Sequence, residues 1–106
     1  MATRIHETAL CSTDQVGEGV EVGAYCVISP SVLIADAVHV SSHVTIAEGV
    51  RIDSNVKIGA GARIGRDCVI EINAVIGQNA VIMDATRIEM GACVTPGTRV
   101  SMSVPA

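Results

Sequence analysis

Aliphatic side chains return at every sixth position along almost the whole chain. Each sixth residue from Leu10 to Val100 is Leu, Ile or Val, without exception. A helix repeats its buried face every 3.6 residues and a strand every second residue, so neither explains this spacing. A strict longer period is typical of a short structural unit that repeats and stacks on itself. The pattern predicts an all-β solenoid built from six-residue units.

Two further columns share the same period. The residue two positions before each aliphatic is small or β-branched from Val20 onward. The residue three positions after it is often of a type that tolerates the positive φ of a sharp corner. We therefore expect each unit to be one short strand and one corner, with positive φ at Gly19, Gly49, Asn55, Gly61, Asp67, Asn73, Asn79, Gly91 and Gly97.

Three units would close one triangular coil of eighteen residues, and the aliphatics of successive coils would stack on three walls. Parallel strands lie ~4.8 Å apart, which gives a prism of about five coils and roughly 25 Å in height, with no loop insertions. The predicted walls are Leu10, Ile28, Ile46, Ile64, Ile82 and Val100; Val16, Ile34, Ile52, Ile70 and Ile88; and Val22, Val40, Ile58, Ile76 and Val94.

The repeat assigns residues 1–106 to a single domain. Residues 1–9 are polar and suit a cap over the lower end of the ladder, residues 10–100 form the coils, and residues 101–106 are a short tail. Exposed strand edges recruit other strands, so both ends need a cover. Because the tail is too short to cover a coil, we expect the chain to be truncated there.

Composition agrees with a narrow core, since 49% of the residues are hydrophobic but only 1% are aromatic. Apolar residues never run uninterrupted for the ~18 positions of a spanning helix, so no membrane span is expected. The N-terminus lacks the pattern of a secretory signal, which favours the cytoplasm. The net charge of -4 and the scattered basic residues argue against nucleic acid as a partner.

The four cysteines are interpreted as reduced thiols. They are Cys11, Cys26, Cys68 and Cys93, and no two are separated by a multiple of eighteen residues, so none stack on adjacent coils. Free cysteine commonly acts as a small buried hydrophobe in a reducing compartment. A structural zinc site is not expected because the chain has no CxxC motif or His/Cys cluster.

Several segments carry a resemblance to a known family. They are IHETAL at 5–10, VGAYCVISPSVLI at 22–34, IGRDCVI at 64–70 and GACVTPGTRVSMSVPA at 91–106. With the repeat itself, they resemble the hexapeptide-repeat acyl- and acetyltransferases, and most closely those that act on sugar nucleotides. The resemblance implies a left-handed parallel β-helix, a homotrimer, and acetyl-CoA or acyl-carrier protein as acyl donor in grooves between subunits.

The resemblance also implies a catalytic histidine, in a His-Asp-Cys or His-Asp-Ala motif ahead of an aliphatic. Here the matching stretch is Arg66-Asp67-Cys68, which keeps Asp67 as a candidate catalytic residue. Arginine does not release its proton near neutral pH, so Arg66 cannot act as the general base.

Two other histidines are candidates for that base. Counting in steps of eighteen places Glu21 one coil below His39 and Lys57 one coil above, so that Glu21 could orient the imidazole. His43 would sit at a corner above Tyr25 and below Gly61. A catalytic zinc site like that of the carbonic anhydrases with this fold is not expected, because His6 shares no column with His39.

Three small residues and two arginines are candidates for the acyl donor. Gly59, Ala60 and Gly61 would leave a smooth groove where a ligand can approach the backbone closely. Arg63 and Arg99 share a column two coils apart and, with Arg87, are candidates for the 3′-phosphate of CoA.

Two functions remain open from the sequence. The first is an acetyltransferase of a nucleotide-linked amino sugar. The second is a non-catalytic trimerising or scaffold module, for example one part of a bifunctional sugar-modifying enzyme. An apolar belt of Val69, Ile72, Val75 and Val81 around one level of the prism favours self-association as a trimer.

Overall fold

A computed structural model of the chain describes residues 4–11 and 15–101. These residues form two-residue strands joined by corners. In chain order they are β1 (Arg4–Ile5), β2 (Leu10–Cys11), β3 (Glu21–Val22), β4 (Val27–Ile28), β5 (Leu33–Ile34), β6 (His39–Val40), β7 (Thr45–Ile46), β8 (Arg51–Ile52), β9 (Lys57–Ile58), β10 (Arg63–Ile64), β11 (Val69–Ile70), β12 (Val75–Ile76), β13 (Val81–Ile82), β14 (Arg87–Ile88), β15 (Cys93–Val94) and β16 (Arg99–Val100).

The strands stack into three parallel sheets, one for each wall of a prism. Wall A has the order β1-β3-β6-β9-β12-β15, wall B the order β2-β4-β7-β10-β13-β16, and wall C the order β5-β8-β11-β14. Val16 extends wall C through a single parallel bridge to Ile34. The described part measures 32 × 21 × 21 Å. The predicted β-solenoid of about five coils is confirmed, and its left hand stays a prediction.

The core consists of two inward positions in each six-residue unit. In β3 to β15 the second residue is buried and the first points outward. Isoleucines such as Ile46, Ile58 and Ile70 are almost completely buried, and the small residues of the preceding column, such as Ala62 and Ala74, fill the space between them. The interior is therefore a thin stack of branched aliphatics, which agrees with the scarcity of aromatic residues.

The corners adopt the predicted conformation. Positive φ occurs at all nine positions named from the sequence. It also occurs at Tyr25, Ser31, Ala37, His43 and Ala85, of which only His43 is of a type enriched at positive φ. The corner is therefore imposed by the stacking of coils even where the local residue disfavours it.

The first coil departs from the predicted register. Cys11, and not Leu10, pairs with Ile28, and the Leu10 side chain is 66% exposed. The pairs Ile5–Val22 and Cys11–Ile28 are 17 residues apart, whereas Val16 and Ile34 are 18 apart. The prediction that Leu10 begins the wall B column is wrong, because the chain reaches Val16 from Cys11 in a shorter step.

The two ends of the solenoid are described to different extents. Arg4–Ile5 pairs with Glu21–Val22, so the described part of the expected cap adds one strand to wall A. Residues 102–106 of the expected tail lie outside the described residues. Within the part of the chain that is described, no helix is long and apolar enough to cross a membrane.

The expected apolar belt is not confined to one level. Ile72 and Val75 are 36% and 38% exposed, and Val69 and Val81 are half-buried. Val27 and Leu33, each 41% exposed, also point outward in lower coils. Aliphatic side chains therefore appear on several levels of the outer surface.

Candidate functional site

The outward side chains of wall A form a vertical column of polar groups. The strand register places Arg4 beside Glu21, Glu21 beside His39, and His39 beside Lys57. Above Lys57 the same column continues with Val75 and Cys93. The lower half of the wall is thus charged and the next level is apolar.

The predicted pairing of His39 with Glu21 is present. His39 Nδ1 lies 3.3 Å from Glu21 Oε1, and the two side chains are 56% and 48% exposed. Ion pairs this exposed contribute little to stability. The consequence of the contact is orientation, because a proton held on Nδ1 leaves the lone pair of the imidazole on Nε2.

His39 stands where two open grooves on wall A adjoin. The lower groove has a volume of about 530 Å³ and the upper one about 630 Å³, and both are lined by His39 and Ser41. Glu21 also lines the lower groove, and Lys57 the upper one. An imidazole held by a carboxylate at such a junction can accept a proton from a bound nucleophile.

The floor of the upper groove depends on close backbone packing. A β-carbon on Gly59 would fall 2.5 Å from the backbone nitrogen of Gln78 in the next coil. Gly59 and Ala60 line this groove as the sequence predicted, together with Gly77, Gln78 and Pro96, which sequence reasoning missed. Gly77, Gln78 and Pro96 could have been found by adding coil steps to Gly59 and Ala60. Gly61 turns at the corner, with φ +74°, and is not among the lining residues.

His43 lies apart from the grooves, at the corner between walls A and B. Its ring stacks on that of Tyr25 with a centroid separation of 5.3 Å and an interplanar angle of 30°. His43 N donates to Ala24 O at 2.9 Å, and Gly61 N donates to Ser42 O at 3.0 Å, which fixes the three coils in register. The predicted order Tyr25, His43, Gly61 is therefore correct.

The remaining candidates lie on wall B. Arg63 and Arg99 both pair with Val81, so the two cations stand one coil on either side of it. Asp67 lies at the far corner of that wall, next to Arg66, whose backbone N–H donates to Asp84 Oδ1 at 2.9 Å. Wall A thus brings together His39, Glu21, Gly59 and Ala60, while Asp67, Arg63 and Arg99 are separate from them.

The cysteines take no part in the grooves. Cys26 and Cys68 are buried, and their thiols contact Ser41 O at 2.8 Å and Met83 O at 2.9 Å. Burial raises the pKa of both thiols above the ordinary value of 9.0, so both stay neutral near pH 7. Among the residues described here, no three His, Cys, Asp or Glu side chains are grouped so that they could hold a metal ion.

Comparison with known proteins supports the interpretation of the repeat. A family described as bacterial transferase hexapeptide, with six repeats, matches residues 43–78. No curated protein sequence matches the chain. The resemblance to hexapeptide-repeat proteins is confirmed.

Solved structures share the fold over essentially the whole chain. PerB from Caulobacter crescentus, solved with CoA and GDP-perosamine, has a TM-score of 0.76 and 15% identity over 100% of this chain. WeeI from Acinetobacter baumannii has a TM-score of 0.64 and 21% identity over 99%. The acetyltransferase domain of PglB from Neisseria gonorrhoeae, solved with acetyl coenzyme A, has a TM-score of 0.62 and 15% identity over 97%. The chain spans 59%, 53% and 53% of these structures respectively.

Proposed function

We propose that this hexapeptide-repeat protein is an acetyltransferase-type domain that transfers the acetyl group of acetyl-CoA to an amino sugar linked to a nucleotide. The observation that carries the proposal is His39, held 3.3 Å from Glu21 at the junction of the two grooves of wall A. Structures of the same fold support it, since PerB holds CoA and GDP-perosamine.

In this proposal His39 is the general base. The amine of the sugar attacks the carbonyl carbon of the thioester, and Nε2 of His39 takes one proton from the attacking nitrogen. The C–S bond then breaks, the acetyl group stays on nitrogen as an amide, and the departing thiolate receives the proton from His39. Glu21 holds Nδ1 and stabilises the imidazolium that forms between these steps.

The acetyl donor occupies the upper groove and the acceptor the lower one. The apolar side chains Val75 and Pro96 and the glycine floor at Gly59 suit a long, largely uncharged arm. Arg4, His6 and Glu21 give the lower groove the polar lining that a sugar requires. Arg63 and Arg99, on wall B, are assigned to the 3′-phosphate of CoA. Asp67, at the corner between walls B and C, is assigned a secondary role in catalysis.

The test is acetyl transfer to a panel of GDP- and UDP-linked amino sugars, followed by mass spectrometry of the product. Loss of a general base costs about 100-fold or more in rate, so we expect His39→Gln to lower kcat by at least that factor. Glu21→Gln should lower kcat less, and Glu48→Gln, at an exposed position that lines neither groove, serves as a matched control. Full activity in His39→Gln would show that His39 is not the base.

A second candidate is the non-catalytic trimerising or scaffold module. It is favoured by Arg66, which occupies the position where the resemblance implies a histidine. A ligand that binds the native state raises its stability, so acetyl-CoA should raise the Tm if a donor site is present. No rise at millimolar acetyl-CoA, together with no product from any acceptor, would favour the scaffold.

We also infer that three copies associate in the cytoplasm. Exposed aliphatic residues such as Ile72 and Val75 support the association, and the four free cysteines support a reducing compartment. Light scattering coupled to size exclusion should give three times the 10.9 kDa chain mass. Ile72→Glu should lower that mass, whereas Thr45→Glu, at an exposed strand position of wall B, is the control.

A further inference from the structure

Lys57 is the only lysine in the chain, and every other basic side chain apart from the histidines is an arginine. Like Lys57, most of the arginines occupy the exposed first position of a strand; these are Arg4, Arg51, Arg63, Arg87 and Arg99. The two residue types differ in reactivity, because the ammonium of lysine can lose a proton and become a nucleophile whereas a guanidinium keeps its charge. The chain therefore carries a single side-chain amine.

That amine belongs to the coil directly above His39. Lys57 and His39 are partners in the register of wall A, and partner residues of parallel strands lie ~4.8 Å apart with their side chains on the same face. Both side chains are exposed, and both line the upper groove. Because the four-carbon stem of lysine is flexible, the ε-nitrogen of Lys57 can reach the imidazole of its neighbour.

The surroundings of Lys57 provide no partner for its charge. The carboxylate of the same column, Glu21, contacts Nδ1 of His39 from the coil below at 3.3 Å. On the coil above, the strand partner of Lys57 is the apolar Val75. Within the part of the chain that the structure describes, Lys57 forms no ion pair, and it is the one lysine or arginine that lines the upper groove. An ion pair therefore does not account for this lysine.

We propose that Lys57 is a self-acetylation site, whose ε-nitrogen accepts the acetyl group of acetyl-CoA held in the upper groove. The inference rests on the proposed function, since that function places the thioester beside His39. The ammonium of Lys57 loses one proton to water, and the neutral amine attacks the carbonyl carbon of the thioester. Nε2 of His39, the ring nitrogen that Glu21 leaves available, takes a second proton from the attacking nitrogen. The C–S bond then breaks, the thiolate of CoA receives that proton, and the acetyl group remains on Lys57 as an amide.

The first experiment incubates the parent protein with acetyl-CoA and without any sugar, and follows its intact mass over time. We expect the protein to gain the mass of one acetyl group, and tandem mass spectrometry of its peptides to place that group on Lys57. Loss of a general base costs about 100-fold or more in rate, so His39→Gln should slow the modification by at least that factor. No acetyl group on Lys57, or an equal rate in His39→Gln, would overturn the proposal.

A relocated lysine separates this site from the reactivity of any exposed amine. Lys57→Arg combined with Arg51→Lys keeps the net charge and moves the single lysine to the exposed first position of a strand on wall C. We expect the amine at position 51 to be acetylated no faster than Lys57 is in His39→Gln. Equal rates at positions 57 and 51 in proteins that retain His39 would reduce the modification to background chemistry and overturn the proposal.

The modification has a consequence for the groove in which it occurs. Acetylation replaces the ammonium of Lys57 by a neutral amide. Because CoA is an anion, the acetylated protein should bind CoA about two- to fivefold more weakly, which is the effect of one exposed ion pair. Calorimetry on the protein before and after acetylation measures the change. Self-acetylation in the absence of an acceptor thus lowers the affinity for the next donor, and unchanged affinity would overturn this regulatory role.

This inference and the proposed function fail separately, because the two products are measured independently. Transfer to an amino sugar by a protein that never acetylates Lys57 would overturn the self-acetylation and leave the proposed function. Acetylation of Lys57 that depends on His39, with no product from any amino sugar, would support the self-acetylation and overturn the proposed acceptor.

Discussion

Thr86 is a polar residue in a position that is otherwise filled by small apolar groups and thiols. It is 2% exposed, and its hydroxyl oxygen has no hydrogen-bond partner among the described residues. Cys68, one coil below, donates its thiol proton to Met83 O. In the next two coils down the same stack, Val50 and Val32 are fully buried, and neither side chain has a polar atom.

Thr86→Val should therefore stabilise the protein. Valine keeps the shape of threonine and removes a buried hydroxyl without a partner, which is worth about 1 kcal/mol or more in the free energy of unfolding. Urea unfolding followed by circular dichroism measures the change. Thr98→Val, at an exposed position of the equivalent column, should change stability by less than about 0.5 kcal/mol. A Thr86→Val protein less stable than the parent would contradict the expectation.

Leu10 tests the register of the first coil. Because its side chain is 66% exposed, Leu10→Ala should change the free energy of unfolding by less than about 0.5 kcal/mol. Ile28→Ala, in the buried column of the same wall, should cost about 2 to 5 kcal/mol. Comparable losses in the two variants would mean that Leu10 occupies the core after all.

At the scale of strands and corners, glycine serves two separate needs. Gly91 has φ +73°, and a β-carbon added there meets no atom within 4 Å. At Gly59 the added carbon would meet the backbone of Gln78 and Gly77 in the next coil. The first glycine is needed for its conformation and the second for the distance between coils.

Gly59→Ala should therefore be more damaging than Gly91→Ala. A left-handed alanine costs about 1 to 2 kcal/mol, which is the whole expected loss at Gly91. Overpacking against backbone costs about 1 to 3 kcal/mol and in addition forces neighbouring coils apart. Thermal unfolding of the two variants measures the difference, and equal losses would show that the coils can adjust around residue 59.

The elements were predictable because one period governs them all. Spacing alone placed Ile28, Ile46 and Ile64 on one wall and set Glu21 beside His39. It failed at Leu10, since an aliphatic residue happens to occupy the sixfold position while the coil there is one residue shorter. The grooves could not be read from the spacing, because their shape depends on how closely the backbone of one coil approaches the next at Gly59 and Gly77. Asp67, a candidate from the motif at 66–68, lies at the corner between walls B and C, away from His39 on wall A.

At the scale of the whole molecule, each coil contacts only the coils directly above and below it. Strand β9 pairs with β6 and β12 and with no other described strand, and the other walls follow the same rule. Stability in such a molecule is close to a sum of coil terms and nearest-neighbour interfaces. Among the described residues, the first and last strands of each wall pair on one side only.

Amide hydrogen exchange should reflect this arrangement. Protection should be greatest in central strands, such as Lys57–Ile58, whose backbone is bonded to a coil on each side, and should decline toward β1 and β16. Exchange read by NMR at individual amides measures the gradient. Equal protection from end to end would indicate a single all-or-none unit.

Because stacked residues differ by a constant number in the sequence, equivalent groups on one outer wall are spaced at regular intervals along the axis. Equivalent positions such as Glu18 and Asp36 differ by 18 in number, and each such step advances the axis by ~4.8 Å. Duplication or deletion of one coil would move every later group along the axis by one coil spacing. Each of those groups would stay on the same wall. A change of six residues would carry the same groups around to the adjacent wall. The distance between two binding groups on one wall can therefore change only in multiples of the coil spacing.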